Sequence, residues 1–402
     1  MRRLVVGLLL VVSCSPTPTS GQSPAQSAPS ASASSIASAI ARPSPTFRDL
    51  KVTAAPSTPG DRLLLVQSNF PTNGGATTKV TIWVVPTDGS TPTQVVSYSR
   101  SQSPYVAYDV LSLARQLTSD GRRLVLSDAD DLAGRGLAVV DLVAGTTRLI
   151  AIDGIANQPA WSPDGERIAY RAATLSGPVQ SDAGVWMVGA NGVGTRQLAA
   201  PETSAGATQI LGWTEDGSGV VYGSRAKLNV VEIASGSVRQ IGGAVAGSFP
   251  IAIRQKRPSF AAVFDESTGG TTIGQVEVRD SASGAGRILT RYGPAEATFL
   301  NDATWRPGTD ELLLRWEVGQ GLGERDELVV VDAVSGKRRT IATPGPVRTE
   351  TWTPDGGQIA YAGFAEARIR SADGSNDRAL FRPAAAANEV AFVTRIAALP
   401  AR

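Results

Sequence analysis

Residues 158–172 read QPAWSPDGERIAYRA, residues 184–190 read GVWMVGA, and residues 195–200 read TRQLAA. Each run is apolar over the length of a β-strand, and turn residues separate the runs. In the SPDG turn at residues 162–165, Pro presets φ, Asp can accept hydrogen bonds from the turn's own N–H groups, and Gly adopts a positive φ. The stretch therefore predicts four antiparallel strands, a to d, with an Asn-Gly hairpin turn at residues 191–192 between strands c and d.

An X-Gly hairpin turn of this kind occurs seven times along the chain. The turns are Asp88-Gly89, Ala144-Gly145, Asn191-Gly192, Ser235-Gly236, Ser283-Gly284, Ser335-Gly336 and Asp373-Gly374, so their glycines follow one another at steps of 38 to 56 residues. A period in the forties with several short strands per unit is typical of a β-propeller. The sequence therefore predicts an all-β, seven-bladed β-propeller of four-stranded antiparallel blades.

The phrase that ends strand a also recurs. It reads WSPDG at 161–165, WTEDG at 213–217, WRPG at 305–308 and WTPDG at 352–356, and it is eroded at 117–121, 58–60 and 257–258. On these residues the chain resembles the TolB-type, WD-repeat-like propellers of exported bacterial proteins, and the resemblance covers residues 50–383. It implies the fold but no particular activity, because such blades serve partner binding, periplasmic assembly and peptidase lids.

Repetition also assigns a role to the tryptophan of this phrase. A residue that recurs in successive units is expected to pack between neighbouring blades rather than to stack on a ligand. The same reasoning applies to the strand b residues Ile168, Tyr170, Ile359 and Tyr361. These residues are therefore predicted to form the core.

The tail after residue 383 contains one more strand-like run than seven blades need. Residues 389–395 read EVAFVTR. Residues 388–398 can complete the first blade, which would close the ring and remove an open sheet edge. The alternative is that residues 50–54 supply the first strand there and the tail packs outside the blade.

The first 14 residues contain the parts of an export signal in the usual order. Arg2 and Arg3 precede an apolar run at 4–12 that is too short to cross a membrane as a helix. The run ends in VVSC at 11–14, which resembles the lipobox of bacterial lipoproteins, where the Cys becomes the lipidated first residue of the mature chain. We expect residues 1–13 to be a lipoprotein signal peptide and Cys14 to carry lipid. An ordinary secretory signal with an incidental Cys is the alternative.

A low-complexity stretch follows. Of the 32 residues 15–46, 26 are Ser, Ala, Pro or Thr. Such a stretch buries too little apolar area to offset the conformational entropy lost on ordering. We therefore expect residues 14–46 to be a lipidated, disordered tether and residues 47–398 to form the propeller. The predicted location is the outward-facing side of the cell membrane, and in a two-membrane cell the sequence is compatible with the outer membrane.

The composition excludes several kinds of chemistry. The chain has no His, which removes Ser-His-Asp and Cys-His hydrolysis and His-containing metal sites. Lys and Arg number 38 against 36 Asp and Glu, and removal of Arg2 and Arg3 with the signal makes the two counts equal. That balance argues against a nucleic-acid partner. No cofactor is predicted, and a monomer is expected.

One acidic cluster invites a metal hypothesis. Asp128, Asp130 and Asp131 supply enough oxygen ligands for a hard cation. The segment lacks the Gly and the terminal Glu of a calcium loop. A solvated loop is therefore favoured over a metal site, and these three residues are only weak candidates.

Antiparallel order separates two faces of the predicted propeller. The a–b and c–d turns emerge on one face, here called the turn face, and the b–c and d–a connections emerge on the other, the loop face. Irregular connections at the loop face are residues 68–78, 97–109, 172–183, 265–272, 291–300 and 317–326. Function concentrates in variable loops on a rigid scaffold. The candidate ligand-binding residues there are Phe70, Tyr105, Tyr108, Arg171, Arg291, Tyr292, Trp316 and Phe364.

Two functions follow from these features. The favoured one is a membrane-anchored, non-catalytic lipoprotein that binds an envelope protein, peptide or glycan at the loop face. The turn face, built of small residues, is expected to offer little apolar area to a partner. The alternative is an envelope carbohydrate- or peptide-processing enzyme that uses Asp and Glu without His, because a glycosidase needs only two carboxylates.

Overall fold

The computed structural model describes the following parts of the chain: residues 47–57, 60–72, 77–101, 113–127, 136–176, 179–201, 208–223, 227–242, 251–253, 259–268, 271–280, 283–292, 299–318, 325–363 and 365–400. All of them belong to one compact unit, Arg42–Arg402. The predicted signal peptide, Cys14 and the tether lie outside the described residues. None of the described helices has the length and apolar character needed to cross a membrane.

The described strands form seven antiparallel sheets. The first contains β1 (Arg48–Val52), β2 (Arg62–Pro71), β3 (Thr77–Pro86), β4 (Thr93–Ser101) and β28 (Glu389–Leu399), in the spatial order β1-β4-β3-β2-β28. The second contains β5 (Arg123–Ser127), β6 (Gly136–Asp141) and β7 (Thr146–Ala151), and a 3₁₀ helix, Leu113–Gln116, precedes it. The remaining five sheets each contain four consecutive strands.

These five sheets follow in chain order. They are β8 (Ile155–Trp161), β9 (Arg167–Ser176), β10 (Val179–Gly189) and β11 (Arg196–Ala199); β12 (Gln209–Trp213), β13 (Gly219–Gly223), β14 (Leu228–Glu232) and β15 (Val238–Gly242); β16 (Ile251–Ile253), β17 (Ser259–Thr268), β18 (Thr271–Asp280) and β19 (Gly286–Tyr292); β20 (Phe299–Trp305), β21 (Glu311–Val318), β22 (Arg325–Asp332) and β23 (Arg338–Ile341); and β24 (Thr349–Trp352), β25 (Gln358–Ala362), β26 (Ala367–Ser371) and β27 (Arg378–Phe381). In each, the strand with the lowest number is strand a.

The all-β propeller with four-stranded antiparallel blades is confirmed, but the predicted count of seven such blades is wrong. Among the described residues, six sheets reach four or more strands, and the sheet β5–β7 has three. Where its strand a would lie, Leu117 makes one isolated bridge to Leu124. The 3₁₀ helix Leu113–Gln116 occupies the preceding residues and cannot extend a β-ladder, and Leu117 replaces the repeated tryptophan.

The tail completes the first blade. β28 pairs with β2 from Arg62–Leu399 to Pro71–Glu389, so the carboxyl-terminal strand becomes the inner strand of that sheet. The alternative for residues 50–54 is wrong, because β1 pairs with β4 at the outer edge of the same sheet. Both ends of the described chain therefore lie in one blade, β28 inside and β1 outside.

The residues after β1 also connect the first blade to the second sheet. Thr53 donates its N–H to Val95 O at 2.8 Å, and Ala55 donates to Leu142 O at 2.7 Å. Arg62, 1% exposed, donates through Nη1 to Pro56 O at 2.9 Å. The segment between β1 and β2 is thus hydrogen-bonded to both the first and the second sheet.

Inner strands contact one another around a closed circuit. β8 contacts β12, β12 contacts β16, and the series continues through β20 and β24 to β28. The 3₁₀ helix contacts both β28 and β8, which completes the circuit at the three-stranded sheet. Such a ring encloses a central channel.

The repeated tryptophans pack between blades, as predicted. Trp161, Trp213, Trp305 and Trp352 are 6%, 3%, 9% and 1% exposed. The strand b residues Ile168, Tyr170, Ile359 and Tyr361 are also buried, at 2% exposure or less. The core therefore lies in the layers between neighbouring sheets.

The SPDG turn has the predicted hydrogen bonds. Asp164 Oδ1 accepts from the N–H of Glu166 at 2.9 Å, and Gly165 has φ +70°. Burial alone would raise the pKa of Asp164, but hydrogen bonds from Ser162 Oγ and Glu166 N outweigh it and lower that pKa. The turn aspartates are therefore structural acceptors.

Candidate functional site

The structure describes five of the eight predicted ligand-binding residues. These are Phe70, Arg171, Arg291, Tyr292 and Trp316. Tyr105, Tyr108 and Phe364 lie outside the described residues, as do the weak metal candidates Asp128, Asp130 and Asp131.

The fold does not place the described ligand-binding candidates next to one another. Phe70 packs on Phe392 of β28, with ring centroids 5.9 Å apart. Trp316 is 5% exposed, and the Arg338 guanidinium lies 5.5 Å from its ring centroid. Arg291, on the outermost strand β19 of its sheet with Tyr292, is exposed. The five residues are spread over four different sheets and form no common site.

Two of the predicted irregular b–c connections are paired strand over most of their length. β9 and β10 remain paired out to Ser176–Val179, and β17 and β18 out to Thr268–Thr271. Most of residues 172–183 and 265–272 is therefore paired strand. At these two connections the loop face carries long β-hairpins.

The turn face also differs from expectation. Val193 follows Gly192 in one c–d turn, and Val334 lies two residues before Gly336 in another. Each of these valines is 69% exposed. Val143, in another c–d turn, is 40% exposed. The prediction that this face is made of small residues with little apolar area is wrong at these three turns.

A group of charged side chains that the sequence reasoning missed lies at the inner strands. Arg315 of β21 donates through Nε to Glu350 Oε2 of β24 at 2.8 Å. Its Nη1 lies 3.5 Å from Asp326 Oδ1 of β22. Asp302 of β20 is the strand neighbour of Arg315, and the two charges interact. These groups, together with Arg115, are here called the channel cluster.

Arg115 joins the channel cluster from a separate part of the ring, between β28 and β8. It lies in the 3₁₀ helix before β5 and donates through Nη1 to Ile210 O of β12 at 2.9 Å. Both elements flank β8 in the ring, so this hydrogen bond spans the inner strand of one sheet. The Arg115 guanidinium also interacts with the Asp302 carboxylate of β20. Arg115 and Asp302 therefore both face the channel.

Burial dominates the electrostatics of the channel cluster. It raises the pKa of Glu350 to about 8, although Arg315 opposes the rise. Burial also raises the pKa of Asp302, against the opposing charges of Arg315 and Arg115. It lowers the pKa of Arg115 to about 10. The channel cluster can thus hold a proton on a carboxyl group near neutral pH.

Glu350 is the most deeply buried member of the channel cluster. Its side chain has 0% exposure, and its Oε1 has no hydrogen-bond partner among the described residues. Asp302 retains some accessible surface, and its Oδ1 accepts from its neighbour Ala303 N at 2.8 Å. Glu350 thus has one oxygen engaged and one without a partner among the described residues.

A repeat-related ion pair provides an internal comparison. Arg171 and Arg315 occupy the same position of strand b, after IAY and LLL, and each pairs with an Asp 11 residues later in strand c. Arg171 Nε lies 3.4 Å from Asp182 Oδ1. In that pair the backbone N–H of Gly184 donates to Asp182 Oδ1 at 3.0 Å, and the N–H of Thr208 donates to Asp182 Oδ2 at 2.6 Å. The predicted candidate Arg171 therefore belongs to a completed structural pair.

Metal binding has no support in the described part of the chain. No group of three or more His, Cys, Asp or Glu residues there has an arrangement that could hold an ion. The channel cluster instead combines carboxylates with guanidinium groups, a set that suits a charged organic ligand.

The sequence contained a weak signal for the channel cluster. Asp302 and Glu350 stand three and two residues before a repeated tryptophan, in NDATW and TETW. The corresponding residues before Trp213 are Ile210 and Leu211. A carboxylate at an inner-strand position was therefore visible once the repeats were aligned.

Comparisons with known proteins identify the fold. No protein-family model matches the chain, and no curated protein matches it. Among solved structures, an oligogalacturonate lyase in complex with manganese is 11% identical, with 80% of this chain and 94% of that chain covered and a TM-score of 0.50. TolB from Acinetobacter baumannii is 16% identical, with 85% and 67% covered and a TM-score of 0.46.

A third match has the same architecture. The β-propeller domain of the Trilobed protease from Pyrococcus furiosus is 11% identical, with 79% of this chain and 86% of that chain covered and a TM-score of 0.46. At these identities the likeness concerns the fold alone. Together with the sheet order described above, the match at a TM-score of 0.50 confirms the predicted β-propeller fold.

Proposed function

We propose that this protein is a membrane-anchored, non-catalytic β-propeller lipoprotein that binds an envelope protein, peptide or glycan at the loop-face mouth of its channel. The observation that carries the proposal is the set of paired hairpins β9–β10 and β17–β18, which extend the loop face as walls of paired strand. A preformed wall binds a partner at a lower ordering cost than a flexible loop does. The charged channel lies behind this mouth.

The anchor is the part of the proposal that comes from the sequence. The VVSC motif at 11–14 and the Ser-, Ala-, Pro- and Thr-rich stretch at 15–46 support a lipid on Cys14 and a tether that holds the propeller off the membrane. Fractionation of cells that express the full chain or Cys14→Ala tests it. We expect the wild type in the membrane fraction and the variant released from it. Equal membrane association of both proteins would refute the anchor.

Capture of partners from envelope extract tests the binding face. The hairpin β9–β10 is shortened by replacing residues 174–181 with a Gly-Ser link, and the matched control on the opposite face is Val193→Ser with Val334→Ser. We expect the shortened hairpin to lose partners that the valine variant retains. Loss in the valine variant alone would move the binding surface to the turn face. Circular dichroism verifies that both variants are folded.

One observation favours the catalytic alternative enough to test it. A glycosidase needs one carboxyl group with a raised pKa beside a second carboxylate, and Glu350 and Asp302 interact in that way. Against it, the Glu350 side chain has no exposed surface for a substrate to contact. Release of reducing sugar from envelope polysaccharide by the wild type, lost in Asp302→Asn and in Glu350→Gln, would establish the enzyme.

A further inference from the structure

We propose that a cavity between the second and third sheets binds a small hydroxylated organic anion through Arg123 and Arg148. The cavity lies at the turn face, so the site is separate from the loop-face mouth of the proposed function. Three features carry the inference: two guanidinium groups that lack the partners of their repeat-related equivalents, the charge that they leave over, and the polar lining of the cavity.

The cavity has a volume of about 540 Å³. Residues of β5, β6 and β7 form one wall, and Glu166 with residues 189–191 of the third sheet forms the other. Arg123 pairs with Asp141 across β5–β6, and Arg148 pairs with Val139 across β6–β7. Paired residues share a face of the sheet, and Val139 packs in the apolar layer toward the third sheet. Both arginines therefore project from that face, with Cα atoms roughly 12 Å apart across one intervening strand.

Arg148 occupies a position that holds an arginine in other blades. In each case the arginine pairs with the residue two positions before the end of strand c of its own sheet; three such equivalents are Arg196, Arg287 and Arg378. Each equivalent donates to the carbonyl oxygen of the residue that directly follows strand c of the next sheet; these acceptors are Ile233 O, Ala333 O and Thr87 O. The position thus supplies a hydrogen bond across a blade junction.

Arg148 lacks this partner. Its equivalent acceptor is Ala190 O, because Ala190 directly follows Gly189 at the end of β10. Arg148 makes no hydrogen bond or ion pair with any residue that the structure describes. Arg148 and Ala190 both line the cavity instead. A guanidinium with five N–H donors is therefore open to a ligand where its equivalents bind protein.

The Arg123 guanidinium is also incompletely bonded. Like Arg167, Arg123 begins strand b and lies 5.0 Å from the ring centroid of a tryptophan in the next sheet. Arg167 donates to Gly217 O of that sheet at 3.2 Å. The Arg123 guanidinium makes no hydrogen bond with a described residue, and its Nη2 lies 4.0 Å from Glu166 Oε1. Its side chain is 27% exposed, so its donors are accessible at the cavity.

The acidic groups of the cavity do not neutralise both arginines. Asp141 is already bound, because Oδ2 accepts from Arg122 Nε at 3.2 Å and Oδ1 accepts from Val143 N and Ala144 N. Glu166, 73% exposed, is then one carboxylate beside two guanidinium groups. A bound anion supplies the second negative charge. Hydrogen bonds from arginine to a carboxylate or phosphate are among the strongest in proteins.

Neutral polar groups complete the lining. Thr146 and Thr147 are exposed, and their hydroxyl groups make no hydrogen bond with a described residue. Asn191 uses Oδ1 for a backbone N–H of its own turn, and its Nδ2 donates to no described residue. Among the described lining residues, the apolar side chains are Val139 and Ala190. Small-molecule pockets of this volume are ordinarily mostly apolar, so this lining favours a ligand with hydroxyl groups beside its charge.

Calorimetric titration of the full-length chain with glucose 6-phosphate, gluconate and glucose tests the proposal. The first two probes carry hydroxyl groups with a phosphate or a carboxylate, and glucose is uncharged. We expect saturable binding of at least one anion and at least about tenfold weaker binding of glucose. Binding of one anion alone identifies the charged group that the site accepts, and binding of both identifies a general oxyanion site.

Arg148→Gln and Arg123→Gln should each weaken anion binding by at least about tenfold, because each removes charge-assisted hydrogen bonds. Arg148→Lys, which keeps the charge without the planar fork, should bind more tightly than Arg148→Gln. The matched control is Arg196→Gln, whose guanidinium is already bonded to Ile233 O; it should leave anion binding unchanged. Urea unfolding should show the opposite order, with a lower midpoint in Arg196→Gln and a wild-type midpoint in Arg148→Gln.

Four binding results would overturn the inference: no saturable binding of either anion, equal binding of glucose, wild-type affinity in Arg148→Gln, or an equal loss of affinity in folded Arg196→Gln. A lowered unfolding midpoint in Arg148→Gln would show that the guanidinium binds protein and would also count against the site. If Arg123→Gln does not fold, the Arg148 variants decide, because that side chain has no described partner to lose. Partner capture at the loop face is a separate measurement, so failure of either proposal leaves the other intact.

Discussion

The Arg167 guanidinium lies 5.0 Å from the ring centroid of Trp213 in the next sheet, and its Nη2 donates to Gly217 O at 3.2 Å. The same relationship joins other sheets: Arg123 lies 5.0 Å over Trp161, and Arg306 lies 5.2 Å over Trp352. In each case an arginine near the a–b turn of one sheet covers the tryptophan that ends strand a of the following sheet. The same arginine–tryptophan contact therefore joins successive blades at three places.

Arg167→Met should lower the free energy of unfolding by about 1–2 kcal/mol, because it removes a cation–π contact, the hydrogen bond to Gly217 O and the ion pair with Asp164, while keeping most of the apolar stem. Urea unfolding measures the change. A double-mutant cycle with Trp213→Phe isolates the pairwise term, for which we expect a favourable coupling of about 0.5–1 kcal/mol. The exposed Arg291→Met serves as control. A coupling near zero would show that the two residues act independently.

Trp161→Ala should lower the free energy of unfolding by about 3–5 kcal/mol, as truncation of a buried aromatic residue does. The ring is 6% exposed and packs with Ile168 and Tyr170 between two sheets. Denaturant unfolding of the variant gives the value. Val193→Ala, at a residue 69% exposed, should change it by less than about 0.5 kcal/mol. A loss below 1 kcal/mol at Trp161 would place the ring outside the core.

Glu350 should make the protein less stable as pH rises. Burial raises its pKa to about 8, above the ordinary value of 4.5 in the unfolded chain, so the folded state holds a proton that the unfolded state releases between these values. Stability is then highest below the lower value and falls as pH approaches the upper one. Thermal unfolding at pH 5 to 8.5 should show this decline in the wild type and a flatter profile in Glu350→Gln. Glu166→Gln, at a side chain 73% exposed, should follow the wild type.

Truncation after residue 388 should abolish cooperative unfolding. It removes β28, exposes the edge of β2, and uncovers apolar residues that pack on Val393 and Ile396, which are 0% and 5% exposed. Size-exclusion chromatography should show aggregation. Addition of a synthetic peptide of residues 388–402 should restore part of the monomer. A truncated chain with wild-type unfolding would mean that β28 is dispensable for closure.

Local patterns predicted most of the fold. The X-Gly turns and the W-S-P-D-G phrase act through neighbouring residues, as Asp164 and Gly165 show, so their structure follows from the sequence nearby. The three-stranded sheet was missed because its eroded phrase still has the turn residues at 118–121, although the strand before it is replaced by a 3₁₀ helix. Residues typical of a turn therefore predict the turn itself, but they do not predict that a strand precedes it.

The candidate site was harder to predict, for a physical reason. Arg115, Asp302 and Glu350 are distant in sequence, and they meet only because the ring closes around a common axis. Residues chosen for their type alone, such as Trp316 and Phe70, proved to be packing residues. Residues 172–183 were predicted to be an irregular connection, but cross-strand pairing of β9 and β10 runs through most of them.

The position of β1 has a mechanical consequence. A pull on the amino-terminal end of the described chain acts first on β1, whose pairing with β4 forms the outer edge of the first blade. The force would then meet the hydrogen bonds of Thr53 and Ala55 to the first and second sheets. The inner strand β28, which keeps the ring closed, is four strands away across the sheet. Load applied at the amino terminus can therefore peel one edge strand while the circular arrangement of blades remains intact.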